Sequence, residues 1–181
     1  PQAQEDLTND TATGIILVSL KTFSRVYMSI LVVKKTVSVT AVKRFVAREH
    51  LAEANIGSRG DNFNRLFLDH VEENVPAGRV AIHALVEDSP SPEIMVELGR
   101  ARRLIHLAHF FQLLKKQARG QAGPLMIKEK WNIADCIGSD GNVWAVVADW
   151  LSVSRFWSIE AYSVGLLVEW DAGSRVLSQA D

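Results

Sequence analysis

The residues best suited to chemistry lie in one stretch, residues 79–101, RVAIHALVEDSPSPEIMVELGRA. Its apolar first half predicts a buried strand, the polar EDSPSP predicts a turn, and Ser91 and Pro92 predict a helix N-cap and first helical residue. The Ser91 hydroxyl and the free N–H groups of a helix start can bind a phosphate. Glu97 follows about one turn beyond that anion site, and Gly99 would allow a close approach. This spacing suits a sugar phosphate, with the sugar carbon near Glu97.

Local patterns predict the elements that would position this stretch. Apolar or β-branched runs predict strands at residues 14–20, 28–40 and 79–86. Helical spacing of apolar residues predicts helices from residue 40 to about 51, over 62–74 and over about 92–117. A strand that enters a helix through a turn is the repeating unit of a parallel sheet, in which ligands bind beyond the carboxyl ends of the strands.

The composition changes after residue 123, because all five tryptophans lie in the remainder. NVWAVVADWLSV and FWSIEAYSVGLLVEW both predict strands, which makes residues 124–181 a β-rich C-terminal extension with its tryptophans in the core. Residues 13–123 form the predicted α/β domain, and the polar residues 1–12 predict a disordered N-terminus.

A known family shares the central motif. SPSPEIMVELGRA resembles the signature of the 2′-deoxynucleoside 5′-phosphate N-hydrolases and the nucleoside 2-deoxyribosyltransferases, in which a serine six residues before a glutamate is followed by Leu-Gly-x-Ala. The matching residues are Ser91, Glu97, Leu98, Gly99 and Ala101. EHLAEANIGSRGD (49–61) is similar to the segment after the family's second strand, and the resemblance covers roughly residues 14–110.

The resemblance implies a fold and an activity. The fold would be α/β in three layers around a mostly parallel, Rossmann-like or flavodoxin-like sheet, with a helix near residues 24–36 where local propensity favours strand. The activity would be hydrolysis of the N-glycosidic bond of (deoxy)nucleoside 5′-monophosphates to free base and (deoxy)ribose 5-phosphate. Glu97 would be the nucleophile, as in a retaining glycosidase, and Ser91 would hold the phosphate. The resemblance also implies a homodimer and no metal or other cofactor.

Two departures from the family pattern leave alternatives open. The family's glycine-rich first loop corresponds to VSLKTFSR (18–25), where Ser19 and Lys21 would replace its serine and arginine as substrate-binding residues. The aspartate that assists the departing base is missing, and Asp88 is the candidate substitute. A catalytically inactive relative with a binding or structural role is therefore one alternative, and a nucleoside 2-deoxyribosyltransferase is another.

The overall composition indicates which classes of partner and which cellular location to expect. A formal net charge of −1 does not favour nucleic acid as a partner, and no segment has the length of an uninterrupted transmembrane helix. The single cysteine, Cys136, predicts a reducing compartment, so the expected location is cytoplasmic or nuclear. His83 is expected to be a satisfied core residue. His106 and His109 are spaced for metal binding but have no third ligand, so packed or surface histidines are expected.

Overall fold

The computed structural model describes residues 29–166 and 168–180. Ser19, Lys21, the strand predicted at 14–20 and the N-terminal residues 1–12 lie outside the described residues. None of the helices in the described ranges is long and apolar enough to cross a membrane.

Eleven strands and four helices make up the described chain. The strands are β1 (Leu31–Val39), β2 (Val42–Val46), β3 (Ile56–Arg59), β4 (Val71–Val75), β5 (Gly78–Leu85), β6 (Ser89–Pro90), β7 (Asn132–Ile137), β8 (Val143–Leu151), β9 (Phe156–Ser163), β10 (Glu169–Trp170) and β11 (Arg175–Gln179). The helices are α1 (Ala47–Ala54), α2 (Asp61–Leu66), α3 (Ser91–Leu98) and α4 (Leu107–Lys116).

The main sheet corrects the predicted fold class. Seven strands lie in the order β1-β5-β11-β7-β8-β9-β3, and only the pairs β11–β7 and β9–β3 are parallel. The predicted three-layer, mostly parallel Rossmann-like or flavodoxin-like sheet is therefore wrong. The strand before the Ser91 motif, β5, is antiparallel to both of its neighbours, so no parallel strand edge forms a ligand crevice there.

The sheet is covered on both faces, which explains why β5 resembles a parallel strand in sequence. Alternate residues along the strands enter two separate hydrophobic clusters, as the period of two requires. One cluster packs under α1, α2 and α4, and the other packs under α3 and Trp170. Six consecutive residues of β5 are consequently buried, a pattern that is more common in parallel sheets.

Several predicted strands are confirmed. β1 lies within the β-branched run 28–40, so the strand that local propensity predicted there is confirmed. The helix that the resemblance implied at 24–36 is wrong over the described residues 29–36. The two tryptophan-bearing segments form β8 and β9, and Trp150, Trp157 and Trp170 are buried core residues. β7, β8, β9 and β11 join the same sheet as β1, β3 and β5.

The predicted helices are shorter than expected. The helix expected from residue 40 begins only at Ala47, after β2, and the helix expected over 62–74 ends at Leu66 before β4. The long helix expected over 92–117 is divided into α3 and α4. Gly99, with φ 71° and ψ 160°, ends α3, and its positive φ takes the chain out of the helix.

Candidate functional site

Ser91, the predicted phosphate ligand, is a buried packing residue. Pro90 occupies the N-cap position of α3 and Ser91 is the first helical residue, so the predicted serine cap is wrong. The Ser91 side chain is 4% exposed, and its hydroxyl oxygen accepts a hydrogen bond of 2.8 Å from the Trp170 indole N–H. A phosphate could reach this hydroxyl only after Trp170 moved away.

Glu97, the predicted nucleophile, secures the beginning of β1. Its two carboxylate oxygens accept hydrogen bonds of 2.9 Å from the backbone N–H groups of Ile30 and Leu31. The Ser29 hydroxyl donates a further hydrogen bond to Glu97 Oε1. Because both oxygens are engaged by the same short segment, the carboxylate has a clear structural role in joining α3 to the edge strand.

The other two described residues of the predicted site are Asp88 and Gly99. Asp88 Oδ1 accepts a 2.7 Å hydrogen bond from the backbone N–H of Ala172. No described atom approaches Gly99 closely, because a Cβ placed there would have nothing within 4 Å. The structure thus connects Ser91 and Asp88 to residues 170–172 and Glu97 to residues 29–31, and does not gather the three around one open pocket.

A buried carboxyl lies beneath α3 instead. Asp135 on β7 is 7% exposed and lines a cavity of about 10 Å³ together with Ser91, Ile94 and Leu98. Asp135 Oδ2 and the nearby Arg103 Nε have no hydrogen-bond partner among the described residues. Burial raises the pKa of Asp135 to about 7, although the Arg103 charge acts to lower it. The cavity has room for one water and is too small for a substrate.

A larger cleft lies where β5 begins and where β7 and β11 end. Its volume is about 280 Å³, close to the lower end of the range of about 300–1,000 Å³ that is usual for small-molecule sites. We call it the His106 cleft. Its polar lining residues are Glu72, Arg79, His106, His109 and Gln179. Its apolar lining residues are Pro76, Ala77, Val80, Leu104, Ile105 and Ile137.

Glu72 organises one wall of the His106 cleft. Its carboxylate oxygens accept hydrogen bonds of 3.0 and 2.8 Å from the backbone N–H groups of Leu107 and Ala108, at the beginning of α4. Glu72 Oε1 also lies 3.4 Å from His106 Nδ1. Burial acts to raise the pKa of Glu72, but the bonds to His106 and the two amides outweigh it and lower that pKa. Glu72 is consequently a charged carboxylate neutralised by a helix start and an imidazolium.

The two histidines of the cleft have opposite electrostatic environments. The hydrogen bond and charge of Glu72 raise the pKa of His106, whose side chain is about half-exposed. Burial lowers the pKa of His109, which is 7% exposed. His109 Nε2 lies 3.0 Å from the Pro76 carbonyl oxygen, and it must carry the proton because a carbonyl can only accept. One ring therefore favours the charged form and the other the neutral form.

The other expectations for histidines concern His83 and a metal site. His83 is confirmed as a core residue: it is 9% exposed, and its Nε2 lies 2.9 Å from the Ser178 hydroxyl. No group of three or more potential metal ligands occurs within residues 29–166 and 168–180. Glu72 and Arg79 were missed by sequence reasoning, since neither belongs to a motif. The spacing of His106 and His109 was the only local signal of this site.

Comparisons with family models, with curated proteins and with solved structures find no match to this chain. The family resemblance of the Ser91 motif and of residues 49–61 stays a prediction from the sequence.

Proposed function

We propose that this chain is a binding domain that takes a small organic anion into the His106 cleft. The observation that carries this proposal is the Glu72-held imidazole of His106 in a cleft of about 280 Å³ that Arg79 also lines. A binding role was one of the alternatives open from the sequence.

The charge of the cleft favours an anion. Glu72 holds His106 and favours its protonated form, and Arg79 is a second basic residue in the lining. The Glu72 oxygens already accept bonds from α4, so that carboxylate repels a ligand less than a free one would. Arg and imidazolium can each donate charge-assisted hydrogen bonds to phosphate or carboxylate oxygens.

The apolar lining indicates that the ligand is partly apolar. Half-buried and buried aliphatic groups such as Val80, Leu104 and Ile105 surround the polar groups, so the ligand carries an apolar portion beside its charge. A small apolar cleft with a few polar groups is the usual form of a metabolite site.

N-glycosidic hydrolysis stays a prediction from the resemblance, as does base exchange between nucleosides. Both require Glu97 to be accessible as a nucleophile, and its bonds to Ile30 and Leu31 favour the binding role over them. Free-base release from a panel of deoxynucleoside and ribonucleoside 5′-monophosphates, with Glu97→Ala as the control, tests this activity directly.

Calorimetric titration with dimethyl phosphate and with neutral trimethyl phosphate tests the proposal. We expect the monoanion to bind at least about tenfold more tightly, because a charge-assisted hydrogen bond contributes about 1.5–3 kcal/mol. Arg79→Gln should remove this preference. The matched control is Arg155→Gln, which replaces an exposed arginine outside the cleft. Equal affinity for the two phosphate esters, or the same loss in both variants, would contradict the proposal.

A further inference from the structure

The buried carboxyl of Asp135 lies near a hydrogen-bond donor with which it makes no hydrogen bond. Asp135 is 7% exposed, and its Oδ2 atom has no hydrogen-bond partner among the described residues. The buried Nε atom of Arg103 has no such partner either. The two side chains are nevertheless close enough for the Arg103 charge to act on the Asp135 carboxyl. An acceptor and a donor are therefore buried near each other, and each lacks the partner that a buried polar atom normally has.

A cavity of the size of one water molecule lies beside this carboxyl. Its volume is about 10 Å³, and its polar lining residues are Asp135 and Ser91. Ser91 Oγ accepts the bond from the Trp170 indole, so the hydroxyl proton of Ser91 is still available to a further acceptor. A buried water needs roughly 10–15 Å³ and about two to four polar partners. Asp135, Ser91 and Arg103 together supply enough of them.

The charges around the cavity favour water over an ion. A metal cation would need about six oxygen ligands, whereas only two oxygen-bearing side chains line the cavity, and the Arg103 charge would repel it. An anion would be repelled by the ionised Asp135 carboxylate. A neutral molecule that both donates and accepts hydrogen bonds complements a carboxylate, a hydroxyl and a guanidinium at once.

We propose that one buried water joins Asp135, Ser91 and Arg103, and that this bridge fixes the wall of the His106 cleft formed by residues 104–106. The water accepts hydrogen bonds from Arg103 Nε–H and from the Ser91 hydroxyl, and it donates to Asp135 Oδ2. When the carboxyl is protonated, the carboxyl donates to the water and the water donates to Ser91 Oγ. The bridge therefore persists in both protonation states of Asp135.

The connection to the cleft runs through the segment between α3 and α4. Arg103 is followed at once by Leu104, which forms a parallel β-bridge with Asp135, and the Ile105 N–H donates a 3.0 Å hydrogen bond to the Asp135 carbonyl oxygen. Leu104, Ile105 and His106 then line the His106 cleft. Asp135 thus holds this segment through its backbone and, by way of the water, through its side chain. The importance of the bridge for ligand binding rests on the proposed function, whereas the bridge itself does not.

Oxygen-17 magnetic relaxation dispersion, which counts long-lived buried waters, tests the first part of the inference. The double variant Asp135→Leu/Arg103→Leu removes both charged partners together, which protects the fold because no buried charge is left unpaired. We expect it to hold one long-lived water fewer than the wild type. Asp135→Asn retains an acceptor and should keep the water. Asp149→Leu is the matched control, since Asp149 is a half-buried aspartate on β8 outside the cavity lining, and it should also keep the water.

Amide hydrogen exchange at Ile105 tests the second part. We expect exchange to accelerate by about tenfold in the double variant, because the segment loses hydrogen bonds that contribute about 0.5–1.5 kcal/mol each. The exchange rate at Ile105 should stay at its wild-type value in Asp135→Asn and in Asp149→Leu.

Three results would overturn the inference. The first is an equal number of long-lived waters in the wild type and the double variant, and the second is loss of the water with unchanged exchange at Ile105. If the double variant does not fold, the wild type decides: we expect nuclear Overhauser contacts from water to Arg103 Hε and to the Ile94 methyl groups, and their absence is the third. These measurements use no ligand, so failure of dimethyl phosphate to bind would contradict the proposed function alone.

Discussion

Replacing the buried carboxyl of Asp135 with an amide should make the protein more stable, and increasingly so as the pH rises. Burial raises the pKa of Asp135 in the folded protein from its ordinary value of 3.8 to about 7. The folded state therefore binds a proton that the unfolded state has already lost. The stability that this proton provides is complete below about pH 3.8 and is lost as the pH rises through about 7.

The size of the effect follows from that difference. The two pKa values differ by about three, and each pKa unit corresponds to about 1.4 kcal/mol, so the total is about 4 kcal/mol. Asparagine has the same shape as aspartate and stays neutral at every pH. The gain of Asp135→Asn over the wild type should accordingly increase by up to about 4 kcal/mol between about pH 4 and pH 8.

Urea denaturation of both proteins across this pH range measures the gain as a difference in the free energy of unfolding. Asp149→Asn is a useful comparison, because Asp149 is half-buried and desolvation also raises its pKa. Its effect should have the same direction. A difference between Asp135→Asn and the wild type that stays constant with pH, or that decreases as the pH rises, would refute the reasoning.

Two further predictions concern the contact between α3 and β1 and the contact between Gly120 and Trp150 on β8. Glu97→Ala should lower the free energy of unfolding by about 1–3 kcal/mol and accelerate amide hydrogen exchange at Leu31, because it leaves backbone donors unpaired. An unchanged exchange rate at Leu31 would argue against the structural role of Glu97. Gly120→Ala should destabilise more than Gly99→Ala, since both have positive φ but a Cβ at Gly120 would lie 2.3 Å from Trp150 Cε2. Equal losses in thermal melting temperature would contradict this ranking.

The strands were the most predictable part of the fold. The β-branched run that becomes β1 and the tryptophan-bearing runs that become β8 and β9 have local signals strong enough to identify each strand. The sequence contained no comparable local signal for which strands pair with one another. β5 pairs with β11, whose residues lie more than 90 positions later, and this pairing decides that the sheet is mostly antiparallel.

The predicted helix bounds were wrong for a different reason. Apolar residues continue at helical spacing across the Gly99 region, but the chain leaves the helix there, and Leu104 forms a β-bridge with Asp135 before α4 begins. Tertiary contacts of this kind override a helical pattern. The positive φ of Gly99 is the one feature that the residue type could have suggested.

The candidate site also depends on contacts distant in sequence. Ser91 and Glu97 have the spacing of a catalytic motif, yet Trp170 and the Ser29–Leu31 segment occupy them. Conversely, Glu72 reaches His106 from a separate strand, and only the folded chain brings the two together. A motif specifies residue types, whereas the environment of each side chain specifies what it can do.

The most direct test of the binding role is a nuclear magnetic resonance titration of the five histidine imidazoles with dimethyl phosphate. We expect concentration-dependent shifts of the His106 and His109 ring signals that saturate together, while the signals of His50, His70 and His83 stay unchanged. We also expect Arg79→Gln to weaken the affinity for dimethyl phosphate by at least about tenfold. Saturable shifts at the other histidines alone, or no shift at His106 at any concentration, would contradict the assignment of the His106 cleft as the ligand site.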